Sequence, residues 1–147
     1  MLTPDQREHW AAQGYLVLPG FKPPGAIAQA TARAHALVDA FDPSDPTQRT
    51  SRFSTRDRSL VADSALLASA DTVRCFFEEE ALDADGALRV PKAQSINKIG
   101  HALHDLDPVF QAFSHGPELA ALGRDLGLTR PQVWQSQVIF KDRRAHV

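Results

Sequence analysis

The sequence predicts an α+β fold, and three stretches carry the prediction. Residues 24–41 are Ala-rich, with Ile27, Ala30, Ala34, Leu37, Val38 and Phe41 near helical spacing. Thr72-Val73-Arg74-Cys75-Phe76-Phe77-Glu78 has the β-branched and aromatic content of a strand, and so does Val133-Trp134-Gln135-Ser136-Gln137-Val138-Ile139-Phe140. Helices therefore come first, then strands, then helices again, and a last strand stands near the C-terminus.

Each element has its own local reason. Thr3 can cap a first helix, Pro4 suits its first position, and Gly14 can end it in a left-handed conformation. Tyr15-Leu16-Val17-Leu18 is then expected as a strand closed by the Pro19-Gly20 turn. Asp42-Pro43-Ser44-Asp45-Pro46 stops the long helix, since proline removes a donor and disfavours helix in the residue before it. A polar loop carrying Arg49, Arg52, Arg56 and Arg58 follows, then a short helix from Val61 to Ala70. The Asp83-Ala84-Asp85-Gly86 turn predicts a hairpin between the strand at 72–78 and a second at Ala87-Leu88-Arg89-Val90. Residues 95–116 have mostly helical character, with Asp107-Pro108 opening a helix, and Pro117 opens another that Gly127 stops. A strand at 133–140 with the composition of a central strand has no later partner. The sheet is expected to be incomplete.

Composition narrows the function classes. The chain has 147 residues, enough for one domain, with 43% apolar and 23% charged residues, which argues against wholesale disorder. A net charge of −2 supplies no global positive field for nucleic acid or an anionic membrane. The single cysteine, Cys75, excludes an intramolecular disulfide and any multi-cysteine metal site. The N-terminus lacks the basic and apolar regions of a secretory signal, and no apolar run approaches the roughly 18 residues of a membrane span. A soluble cytoplasmic protein is expected.

Four constellations could carry chemistry. His101-Ala102-Leu103-His104-Asp105 puts two imidazoles on one face if the segment is helical; with the carboxylate they could hold a transition metal, or they could simply pack and cap. In Ser95-Ile96-Asn97-Lys98-Ile99-Gly100-His101, a lysine between two apolar β-branched residues is either solvated or held near a low-dielectric wall, where it needs an anionic partner. Strand alternation puts Gln135 and Gln137 on one face and Trp134 and Ser136 on the other; the glutamines either read a ligand or face water. The arginines of residues 49–58 either grip an anion or are solvated. His9, His35 and His115 stand alone and are taken as surface or packing residues, and no Gly-rich phosphate loop or nucleophile elbow is present.

Several of these runs occur together in a known family. The opening Leu2-Thr3-Pro4-Asp5-Gln6 with Gly14-Tyr15-Leu16-Val17-Leu18-Pro19-Gly20-Phe21 resembles phytanoyl-CoA dioxygenase-like proteins. So do Ser95 to His104, Asp107-Pro108-Val109-Phe110, Phe76-Phe77-Glu78, the 83–86 turn, and Gln135-Ser136 with Ile139-Phe140-Lys141. The resemblance makes residues 1–147 a partial domain of this kind, with a match ending near 141 and a divergent tail at 142–147. It implies the N-terminal helices and first strands of a double-stranded β-helix, or cupin-like jelly roll. It also implies an iron(II)- and 2-oxoglutarate-dependent dioxygenase acting on a small-molecule substrate. By position, Lys98 would pair with a 2-oxoglutarate carboxylate and Gln137 would contact the same molecule, where methionine is usual.

The resemblance also brings an expectation of deficit. Iron in this family sits on a His-x-Asp…His triad, and no His-x-Asp occurs among the six histidines here. No metal ligand or catalytic residue is therefore assigned, and the chain is expected to be inactive alone as an N-terminal part of such an oxygenase. The alternative is a non-enzymatic binding or regulatory module derived from the fold.

Overall fold

The computed structural model describes residues 2–45 and 69–140, so the arginine-rich loop, most of the helix expected at 61–70 and the tail at 142–147 lie outside the described residues. Helix α1 spans Pro4–Gln13 and α2 spans Pro24–Ala40; β1 is Val73–Phe77; a single turn, α3, at Lys92–Ser95 leads into β2 at Ile96–His101. Then come α4 at Leu103–Leu106, α5 at Pro108–Ser114, α6 at Pro117–Asp125 and β3 at Ser136–Ile139. None of these helices is long and apolar enough to cross a membrane.

The helix ends follow their sequence signals. Thr3 Oγ1 accepts the Gln6 N–H while Gln6 Oε1 accepts the Thr3 N–H, a reciprocal capping box. Gly14 closes α1 at φ 75°, a conformation that costs a residue with a Cβ but not glycine. The C-terminus of α2 receives a cation: Lys92 Nζ donates to the Asp39 carbonyl at 2.7 Å and to that of Phe41 at 3.0 Å. Asp107 caps α5, its Oδ1 accepting from Val109 N and Phe110 N, and its Oδ2 meets Arg33 Nε of α2 at 2.6 Å. Residues 15–18 form no strand, because no strand among the described residues pairs with them; Tyr15 and Val17 are exposed.

The sheet differs most from the sequence expectation. Its order is β1-β2-β3, antiparallel throughout. The partner of β1 is β2, not residues 87–90: Phe76 faces Lys98, Cys75 faces Ile99 and Arg74 faces Gly100. The Asp83–Gly86 turn is real, with Asp83 Oδ1 accepting from Asp85 N and Ala87 N, but it closes only a Leu82–Leu88 bridge. Residues 96–101, expected as helix, form the central strand. Two β-branched residues in a run with few helix formers favour strand, and pairing on both sides decides it. The last strand is shorter than the expected 133–140 and lies at the edge of the sheet among the described residues.

Alternation gives the sheet two faces. On one, Cys75, Phe77 and Ile99, joined by Ile96 where the register shifts between Phe76 and Phe77, pack with Ala34, Val38 and Phe41 of α2, and with Leu103 and Phe110, into the apolar core. On the other lie Phe76, Lys98 and, across from Gly100, Gln137. The α2 face holds the fold together; the opposite face carries the polar groups.

Asp107 joins α5 to α2 while 3% exposed. Asp107→Ala is expected to lower stability by about 2 kcal/mol through loss of the cap and the Arg33 contact, and Asp107→Asn by about half as much, because its amide oxygen keeps the cap. Urea unfolding of the two variants checks the ratio.

Candidate functional site

A cavity of about 530 Å³ opens on the face away from α2, lined by Ala70, Asp71, Lys98, His101, Trp134, Gln135 and Gln137. It holds both residues that the family resemblance singles out, Lys98 and Gln137, and adds others. Register explains the meeting: Gln137 is opposite Gly100 on β2, one step beyond Lys98 on the same strand face.

Lys98 is 6% exposed. Its ammonium lies 5.2 Å from the centroid of the Phe76 ring, its opposite number on β1, in reach of a cation–π attraction. Burial pushes the amine below the ordinary lysine range, since leaving water penalises the charged form. A cation so placed is stabilised by any anion that enters the cavity.

His101 is also 6% exposed and packs its ring 5.2 Å from that of Phe76. Its Nδ1 lies 2.8 Å from the Ser69 hydroxyl. Burial, and secondarily the positive charge of Lys98, hold its protonation below the ordinary histidine range, while a hydrogen bond to the Ser69 backbone opposes them. The Lys98 effect means that the two groups share one electrostatic environment.

His104 points elsewhere. Ser136 at the start of β3 donates its hydroxyl to the His101 carbonyl at 3.2 Å and accepts the His104 N–H at 3.0 Å. His104 Nδ1 lies 2.8 Å from the same oxygen, whose proton is already committed, so Nδ1 is assigned as the donor there. Its Nε2 is 3.4 Å from Asp105, and the ring lies 6.0 Å from that of His115.

The helical premise of a His101–His104–Asp105 metal site therefore fails: His101 closes a strand and His104 sits on the next turn of helix, each ring held by a different serine. Among the described residues no three His, Cys, Asp or Glu side chains gather as a metal-binding group. These residues do not fit a ferrous ion, and no step through iron follows from them. Cys75 is buried on the α2 face, where burial pushes its thiol up to about 11, far from an active thiolate.

Trp134 is expected from alternation to lie opposite the glutamines, yet it lines the cavity beside them. Alternation does not reach it, because β3 begins only at Ser136. Trp134 is 92% exposed and forms an outer rim. Ser69 carries no sequence signal; only the fold brings it to His101.

The lowered protonation of His101 has a consequence for stability. Between the ordinary histidine pKa of about 6.5 and the lower folded value, the unfolded chain binds more protons, so stability falls as pH is lowered through that window. Urea midpoints measured from pH 7.5 to 5 are expected to decline less steeply in His101→Gln than in the unsubstituted chain.

Comparison with known proteins places this arrangement in a family. The family model described as phytanoyl-CoA dioxygenase matches residues 10–145. A protein of Arabidopsis thaliana named phytanoyl-CoA dioxygenase is 41% identical over 140 residues, covering 95% of this chain and 48% of the relative. Phytanoyl-CoA dioxygenase 1 of Oryza sativa subsp. japonica is 42% identical, with the same coverage. Phytanoyl-CoA dioxygenase domain-containing protein 1 of Bos taurus is 39% identical over 144 residues, covering 95% and 49%. The chain spans about half the length of the curated relatives it matches. It belongs to the phytanoyl-CoA dioxygenase family.

Proposed function

We propose that this chain is the N-terminal part of an iron(II)- and 2-oxoglutarate-dependent dioxygenase, a hydroxylase of a small-molecule substrate, and that it contributes the 2-oxoglutarate-binding cation. Its sheet is the first part of a double-stranded β-helix, with the Lys98 face turned toward the interior. One observation carries the reading: a lysine 6% exposed on the central strand lines the same cavity as Gln137. A site of this size with a few converging polar groups suits a small ligand.

The physical roles follow from position. Lys98 supplies a point charge in a low-dielectric setting, where pairing with a carboxylate offsets its desolvation. The Phe76 ring, 5.2 Å from the ammonium, gives it an apolar neighbour. Gln137 can donate an amide N–H to a carboxylate or keto oxygen but carries no charge, so it orients more than it attracts. Iron, when bound, would supply oxygen activation; no three candidate ligands gather among the described residues, and on this proposal the chain alone binds the acid and does not turn it over.

A second reading has its own observation. β3 is the edge of the described sheet, with Ile139 and Trp134 exposed beside it, as a module that pairs with another chain would present. Such a module need not bind 2-oxoglutarate, and titration separates the two.

Calorimetric titration of 2-oxoglutarate into the chain is expected to show binding that Lys98→Met weakens by about 100-fold, in line with loss of a buried charge-assisted contact. Gln137→Ala is expected to weaken it by about fivefold, the scale of one neutral hydrogen bond. Unchanged affinity in Lys98→Met would sink the site. Succinate release by the chain alone, supplied with ferrous ion, would sink the dependence on outside ligands.

A further inference from the structure

The end of β2 is held from both sides. Thr72, just before β1, accepts the His101 and Ala102 N–H groups on its carbonyl at 2.9 and 3.1 Å, and Ser136 of β3 donates to the His101 carbonyl at 3.2 Å. Val73 and Ser136 are both ladder partners of His101, so β1 and β3 run parallel and begin at the same end of the sheet. Asp71 stands two residues before Val73 and Trp134 two residues before Ser136, at matching places on either side of β2. Both line the cavity. Two strand spacings put their backbones about 10 Å apart.

We propose that Asp71 and Trp134 form a cation-binding recess at the mouth of this cavity, which takes an alkylammonium group of the substrate. As a statement about substrate, this rests on the reading of the cavity given above. The Asp71 carboxylate is exposed and makes no hydrogen bond or ion pair among the described residues. Trp134 is 92% exposed, and its indole packs on no other ring and donates no hydrogen bond among them. An ammonium bound between the two needs a carboxylate within about 4 Å and an indole face within about 6 Å. Side chains rising from backbones about 10 Å apart leave a gap of that order. Tryptophan is also the aromatic face that holds a cation best.

This end of the cavity is set apart from the acid. Lys98 lies three residues back along β2 from His101, about 10 Å along the strand. His101, at the centre of the end itself, is held toward its neutral form, by burial first. Gln135 and Gln137 on the β3 side are uncharged. The cavity thus has a buried ammonium inward and a carboxylate with an indole outward, and an occupant with a cationic end is oriented with that end toward solvent. Water at the mouth screens Asp71 and keeps its contribution modest, so a lone ammonium compound is expected to bind only at millimolar concentration.

Choline is the probe, and 3,3-dimethyl-1-butanol, its uncharged isostere, is the control of the same shape. In Trp10→Phe, Trp134 is the one tryptophan left, so its fluorescence reads the recess directly. Choline is expected to shift that emission saturably, and the isostere to bind about tenfold more weakly, the combined scale of one exposed ion pair and one cation–π contact. Asp71→Asn should weaken choline binding about threefold, and Asp71→Glu should restore most of it. Calorimetry of choline with the unsubstituted chain reads the same site without Trp10→Phe, and Trp134→Leu should weaken binding there about fivefold. Equal binding of the isostere would overturn the proposal, because the recess would then be apolar only. Choline affinity unchanged in Asp71→Asn would overturn it too. No choline binding while 2-oxoglutarate still binds would overturn the recess and leave the Lys98 site standing. Choline binding without 2-oxoglutarate binding would instead overturn the acid site, and with it the step from bound cation to substrate.

Discussion

A buried ammonium on the central strand is the constraint around which the described structure is arranged. Lys98 has ladder partners on both sides, Phe76 on β1 and Ile139 on β3, so its backbone has little freedom to carry the charge out to water. Holding a cation there costs stability unless it is compensated. The apolar face of the same three strands makes this bearable. Ile99 is fully buried one residue away and points into the core with α2, together with Cys75 and Phe77. The central strand thus serves two environments, the apolar core through Ile99 and the cavity through Lys98.

The helical layer was legible because its signals are local. Caps, proline starts and glycine stops act within one turn, and the boundaries of α1, α2 and α6 follow from them at Thr3, Pro24, Pro117 and Gly127. The sheet was not legible in the same way, since strand pairing is chosen between segments distant in sequence. The turn at 83–86 is a correct local feature, but its hairpin never extends, because β1 gains more from β2, which offers Ile99 and Ile96 to the core. The Ser95–His104 run then shows how a motif can be recognised while its conformation is misjudged. The helix expected there is instead a strand that passes into a short helical turn at Leu103.

Half of the candidate site was available from sequence for a related reason. Lys98 and Gln137 came from the order of motifs, and register then brought them into one cavity. His101 was weighed for the wrong chemistry. Helical spacing pairs it with His104, whereas a strand ending at His101 turns the two rings to separate serines, Ser69 and Ser136. Ser69 had no sequence signal at all, and alternation put Trp134 on the wrong side. Their places depend on chain reversals outside regular structure, where neither periodicity nor capping applies.

The placement of the buried ammonium can be traced to a few named contacts. Among the described residues, what positions Lys98 lies in β1, β2, β3 and the α2 layer behind them. The Phe76–Lys98 register sets the ammonium beside the Phe76 ring, and Ser136 ties the end of β2 to the start of β3 through the His101 carbonyl. None of these interactions calls on a metal. On the reading proposed above, a sheet that presets its cation in this way would leave recognition of the acid to local packing, and oxygen chemistry to the residues that hold iron. On that proposal, affinity for the acid would belong to the three strands described here, and turnover to their combination with the iron ligands.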